Sequence, residues 1–158
     1  MTNSRRADKQ LHPVPDSGGT RLAHAVVGFD GSPASHDAIA YAAGWAHRVG
    51  GQLDIIYVAD LVWQSAIDAY VAMSFVGAVP DSMPDLTAGV AADMSGSGLP
   101  WSYAATRGDV ARELERSAAT TNADAIIIGH SRRRRAGLRT SVAHRLLDHT
   151  KRIVIVVP

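Results

Sequence analysis

Two uninterrupted apolar runs constrain what this chain can fold into. Ala125-Ile126-Ile127-Ile128 and Ile153-Val154-Ile155-Val156-Val157 leave no alternate position for water. Such runs are expected of strands covered on both faces, as in a parallel sheet with helices packed on each side. Three more short apolar runs rich in β-branched residues complete a set of five: Ala25–Phe29, Leu53–Val58 and Trp101–Thr106.

Helical periodicity fills the intervals. After Ser35, a residue suited to an N-cap, the pattern Ile39, Ala42, Ala43, Ala46, Val49 runs to a stop at Gly50-Gly51. A second helix starts at Asp109, sets Val110, Leu114 and Ala118 on one face, and ends near Asn122. A third starts near Ser141 and turns Val142, Leu146 and Leu147 inward. Strand–helix alternation requires right-handed crossovers and a parallel sheet. Five strands are too few for the eight-stranded barrel. The expected fold class is therefore α/β, a doubly wound five-stranded parallel sheet in a Rossmann-like sandwich.

Residues Met1–Arg21 are polar and aperiodic and are read as a flexible N-terminal tail, with the domain spanning 22–158. Between Asp60 and Pro100 a helix is expected around Pro84–Met94. Ala69–Val79 is either a further helix or a mobile lid, and Trp63, Tyr70 and Phe75 are available to a partner.

Composition narrows the function. The chain has 158 residues, about one domain, and a formal net charge of +1 from 16 basic and 15 acidic side chains. That balance gives no global pull towards nucleic acid or membrane. With no cysteine, disulfide frameworks, thiolate catalysis and Cys-ligated zinc are excluded. The stretch Ala69–Pro80, bounded by Asp68 and Asp81, falls short of the roughly 20 residues of a spanning helix. After Ser4-Arg5-Arg6 come Lys9, Gln10, His12 and Asp16, not the apolar core of an export signal. A cytoplasmic location is expected.

In an open parallel sheet, ligands bind beyond the carboxyl ends of the strands where the strand order reverses. The loops after the first strand (Gly28-Phe29-Asp30-Gly31-Ser32-Pro33) and after the fourth (Gly129-His130-Ser131-Arg132) are the candidates. A glycine at each strand exit lets a ligand approach the backbone. Asp30 has two readings: a carboxylate for a ribose hydroxyl, adenine amino group or metal, or a turn residue capping the backbone that follows it.

The residues in these loops resemble a known family. Ala25-Val26-Val27-Gly28-Phe29-Asp30-Gly31-Ser32-Pro33-Ala34-Ser35 is similar to the opening strand and turn of universal stress proteins. Gly108-Asp109-Val110-Ala111, Ala123–Gly129, Ser141–Leu147 and Ile153–Pro158 resemble later segments of that family, in the same order. The resemblance implies an adenine nucleotide alpha hydrolase-like sandwich, dimerisation often through the last strand, and in one branch bound ATP with Mg²⁺. That branch carries Gly, two residues, Gly, nine residues, Gly, then Ser or Thr. Gly129 matches the first glycine, but Arg132 stands at the second and Val142 at the third by strict count. Alignment on the helix start puts Thr140 at the third and shortens the loop by two residues.

The resemblance thus implies a cleft lined by Gly28, Phe29, Asp30, Val58, Gly129, Ser131, Arg132, Thr140, Ser141 and Val142, with Val58 at the family's adenine contact. Thr140 and Ser141 retain hydroxyls at a helix N-terminus, and Arg132–Arg135 with Arg139 offer charge to a phosphate. The altered loop favours weakened or changed nucleotide binding over ordinary ATP binding. The last strand, Ile153–Val157, is expected at a sheet edge, where an unpaired apolar strand favours a homodimer.

Other chemistries fit less well. Gly129-His130-Ser131-Arg132-Arg133 approaches a nucleophile elbow but ends in Arg133 instead of glycine, and no acid and histidine follow in the required setting. The seven histidines lack metal-ligand spacing; His144 and His149 are five apart and do not share a helix face. The arginine run has no interleaved aromatics, so an anion-facing or solvated loop suits it better than nucleic acid. No catalytic residue or metal ligand is assigned. The enzymatic alternative is slow ATP hydrolysis or nucleotidyl transfer in the same cleft, and it has no evident general base beyond Asp30.

Overall fold

The computed structural model describes residues 10–11, 23–60, 86–130 and 141–158. Five parallel strands form the sheet: β2 (His24–Phe29), β3 (Gln52–Asp60), β4 (Trp101–Gly108), β5 (Ala125–Gly129) and β6 (Ile153–Val157). A two-residue strand, β1 (Gln10–Leu11), pairs antiparallel with β4, so the order across the sheet is β1-β4-β3-β2-β5-β6. The reading of residues 1–21 as a tail made no provision for β1. Two residues joined by main-chain hydrogen bonds leave no side-chain period to detect.

Among the described residues, four helices cover the sheet: α1 (Pro33–Val49), α2 (Thr87–Met94), α3 (Val110–Thr121) and α4 (Val142–His149). Alternate residues of β2 divide the core. Ala25, Val27 and Phe29 join Ala38, Ile39, Ala42, Val90 and Met94 on the α1–α2 side. Val26 joins Leu114, Ala118, Ile126, Ile128 and Leu146 on the α3–α4 side. Both faces of the central strands are thus closed, and β2 and β5 are apolar at consecutive positions because neither face meets water. The doubly wound α/β class is as the alternation implied.

Several ends match their sequence signals. Asp109 caps α3 by accepting a hydrogen bond from the Arg112 N–H at 3.0 Å, and Asn122 closes the helix in the left-handed region at φ 52°. Gly50 closes α1 in the same way at φ 61°. The start of α1 is corrected: its N-cap is Ser32, not Ser35. Pro33 fits the first helical position, where its missing N–H costs no hydrogen bond. The buried Ser35 instead donates its hydroxyl to the Ser32 carbonyl at 2.8 Å.

Leu147 is also corrected. Leu146 is fully buried, whereas Leu147 is 63% exposed, because neighbouring residues on a helix point about 100° apart and α4 has only one covered face. The last strand is likewise covered incompletely. Ile155 and Val157 pack against the α1-side core and Val154 against the other, but Ile153 is 65% exposed. The cause is position: among the described residues β6 is the outermost strand, with β5 alone beside it. The expected helix around Pro84–Met94 is α2, with its onset at Thr87. Ala69–Val79, Trp63, Tyr70 and Phe75 lie outside the described residues. No helix among the described residues is long and apolar enough to cross a membrane.

Candidate functional site

The chain runs outward from β2 through β3 to β4, then returns past β2 to β5 and on to β6. The order therefore reverses between β2 and β5, and the loops leaving these two strands face each other at the switch point. The parallel crossovers bring the N-termini of α1, α3 and α4 to this same end of the sheet.

The turn after β2 is built from its own side chains. Exposed Asp30 accepts a hydrogen bond from the Ser32 N–H at 3.0 Å, which bends the chain through Gly31 at φ +76°. The Ser32 hydroxyl then accepts from the Ser35 N–H at 3.3 Å and opens α1. The turn-forming reading of Asp30 is thus present in the structure. Phe29 is directed inward, and its ring meets His36 edge-on at 5.0 Å between centroids.

The strand-exit glycines face protein. A β-carbon at Gly129 would lie 2.2 Å from the Ala34 carbonyl oxygen and 2.9 Å from the Ser35 nitrogen, so the first turn of α1 occupies the space. At Gly28 it would lie 3.0 Å from Ile128 Cγ2 and 3.1 Å from Leu114 Cδ1. The expectation that these glycines open the backbone to a ligand is corrected here. The close approach each permits is made by the fold itself.

Val58 is buried in the α3-side cluster with Leu114 and Ile128. Ser141 is exposed and caps α4, accepting from the His144 N–H at 3.2 Å, while Val142 is half-buried against the same cluster. Ser131, Arg132 and Thr140 lie outside the described residues, as do Arg133–Arg135 and Arg139. Of the predicted set, Asp30, Gly28, Phe29 and Gly129 gather at the switch point. Val58 lies near the end of β3 on the α3 side.

Three polar contacts at this end were not foreseen. The Arg145 guanidinium pairs with the Asp109 carboxylate and so ties the first turns of α3 and α4 together. Glu113, nearly buried, is held by Arg116 at 2.6 Å and lies under Gly108, whose φ of +149° excludes a side chain. Across the α1–α2 contact, His36 Nδ1 is 2.5 Å from Asp93 Oδ2. Only Asp109 had a visible signal, as a helix start. The other pairings join residues whose spacing carries no motif.

A second polar cluster lies at the opposite end of the sheet. His24 Nε2 is 3.1 Å from Asp54 Oδ2, the Ser102 hydroxyl donates to Asp54 Oδ1, and the Asp124 carboxylate accepts from the His24 N–H at 2.9 Å. The aspartate stands between serine and histidine, so the imidazole does not contact the hydroxyl and the arrangement is not a nucleophilic triad. It links buried polar side chains of three neighbouring strands.

A doubly wound α/β sandwich with an Asp-Gly-Ser turn and a serine-capped helix at its switch point has the Rossmann-like architecture. The chain is a member of the universal stress protein family, whose model matches residues 22–158. No curated protein sequence matches it. Among solved structures it is similar to universal stress protein UspA from Lactobacillus plantarum, with 23% identity, 89% of this chain and 100% of that one covered, and a TM-score of 0.59. A universal stress protein in complex with cAMP is 20% identical over 87% of this chain and 98% of that one, with a TM-score of 0.58. One from Archaeoglobus fulgidus in complex with dAMP is 15% identical, with the same coverages and TM-score. At these identities the likeness establishes the fold.

The contact at Gly129 gives a direct prediction. Gly129→Ala forces strand and helix apart and costs about 3 kcal/mol in urea unfolding without any ligand. Gly44→Ala is the control. It lies inside α1 with only the tip of Arg48 near its β-carbon position, and gains about 0.5 kcal/mol from helix propensity. A neutral Gly129→Ala would show that α1 does not press on this strand.

Proposed function

We propose that this chain is a stress-response regulatory domain whose switch-point cleft holds an adenine nucleotide more weakly, or in another manner, than an intact glycine loop would. The observation that carries this reading is the contact at position 129. The one glycine of the expected phosphate motif that this chain retains has its open side filled by Ala34. Arg132 and Thr140 take the places of the other two glycines, so close backbone approach to phosphates is lost at both.

What remains suits a base or ribose better than a triphosphate. Asp30 is exposed at the turn, and Ser141 caps a helix whose free N–H groups favour negative charge. In this reading the arginines at 132–135 and 139 supply charge where backbone amides no longer reach, and Mg²⁺ enters only with a bound triphosphate. The cAMP and dAMP complexes of the structurally similar proteins support an adenine nucleotide as the ligand class.

Calorimetric titration with ATP and Mg²⁺ is expected to give a Kd weaker than about 10 μM, less favourable than about −7 kcal/mol. Asp30→Ala should weaken it by a further tenfold or so. A low-micromolar or tighter Kd would overturn the weakened-site reading.

The same reading includes a homodimer formed through β6. Its neighbours place apolar surface beside it: Leu147 on α4, with Ile153 and Val156 on the strand itself, are all exposed. The opposite edge of the parallel sheet is paired by β1. A bare apolar edge on one side only favours self-association there. Sedimentation at micromolar concentration should show a dimer that Ile153→Lys converts to monomer without loss of thermal stability. A wild-type monomer would contradict it.

A further inference from the structure

Among the helices of the described residues, α2 is the weakest on intrinsic grounds. It has eight residues, contains Gly89 in its first turn, and begins at Leu86, whose side chain cannot cap an N-terminus. It ends at Ser95 with extended backbone in place of a left-handed cap. Short helices of this kind are marginal in water, glycine costs roughly 1 kcal/mol relative to alanine, and a missing cap costs about as much again. The order of α2 must therefore come from docking.

That docking is narrow and leads to one place. Val90 and Met94 are buried in the α1-side core, and Leu86 packs against the same cluster. The Leu86 side chain stands over Gly31, 3.6 Å from where a β-carbon would be, so the helix start covers the turn at the switch point. Gly89 lies beside His36, whose Cε1 would be 3.8 Å from a β-carbon there. A polar contact joins the helix to α1: His36 Nδ1 to Asp93 Oδ2 at 2.5 Å, with both side chains partly exposed. The same imidazole rests edge-on against Phe29 at the end of β2.

We infer that α2 opens as a unit separate from the rest of the domain, and that the His36–Asp93 pair is the latch that holds it over the Asp30–Ser32 turn. The elements around the ring assign the contacts. From α2 it meets the Asp93 carboxylate, and from β2 it meets Phe29, which carries no charge. Release of the pair removes this tie between α1 and α2, and Leu86, Val90 and Met94 remain as the apolar contacts of an eight-residue helix that has no side-chain N-cap. Opening draws Leu86 away from Gly31 and bares the turn that the nucleotide reading uses. The latch itself does not depend on that reading.

Amide exchange on the full chain, measured by NMR without nucleotide, tests this directly. The Val90 N–H, bonded to the Leu86 carbonyl at 3.2 Å, reports α2, and the Ile127 amide in central strand β5 reports global opening. Val90 should exchange at least about thirtyfold faster than Ile127. Asp93→Ala should speed Val90 by about fivefold, the scale of a partly exposed ion pair. His36→Ala should speed it by about tenfold, because it also removes the ring contact with Phe29. Ile127 should change in neither variant. The two substitutions together should equal His36→Ala alone, since they break one interaction. Equal exchange at Val90 and Ile127 in the wild type would overturn the separate unit. Effects that multiply in the double variant, or that are absent in both single variants, would overturn the latch.

Discussion

The carbonyl of Ala34 occupies the position where a side chain on residue 129 would have to be. This contact joins the two strands at which the sheet reverses direction, because α1 leaves β2 and its first turn rests on the end of β5. Only glycine allows it. The buried ladder Val26–Ile126 and Val27–Ile127 behind it depends on the same closeness, since α1 covers both strands through Ala38, Ile39 and Ala42. Gly28 does the same on the other face, where Leu114 and Ile128 fill the space beside it. The glycines that a reader of the sequence would give to a ligand are thus first used by the fold.

The polar groups at this end show a similar economy. Asp30 bends its turn, Ser32 opens α1, Asp109 opens α3 and Ser141 opens α4. Asp109 also binds Arg145, so the starts of α3 and α4 are tied to each other as well as capped. Each cap satisfies one orphan N–H and leaves others directed towards the end of the sheet. In the proposed reading this end binds an anion weakly, through side chains that the helices need in any case. Specific recognition then falls to whatever supplements them, and the arginine-rich stretch between Gly129 and Ser141 is the part of the sequence with charge to contribute.

Much of this was legible from residue types alone. The continuous run Ala125–Ile128 marked central β5, whose two faces are closed, whereas the other run, Ile153–Val157, is the edge strand β6 and is covered incompletely. Asp109, Asn122 and Gly50 marked helix ends because each satisfies a backbone requirement that few residues meet. The cap is Ser32 and not Ser35 because the proline at position 33 is the stronger indicator, and it places the helix start three residues earlier. Leu147 was assigned inward because apolar character says nothing about which neighbour covers it. The role of Gly129 was out of reach, since sequence records the missing side chain but not the atom that takes its place. His36 and Asp93, 57 residues apart, meet only because α2 folds back on α1. Ser131, Arg132 and Thr140 lie outside the described residues.

The central claim is that the glycine retained at position 129 serves the fold and that the phosphate side of the cleft is depleted. The most direct test is whether nucleotide accompanies the protein through purification. Denaturing a freshly purified sample and separating the released small molecules by chromatography with mass detection measures this without choosing a ligand. The account predicts adenine nucleotide far below one per chain. Near-stoichiometric ATP released from the protein would contradict it.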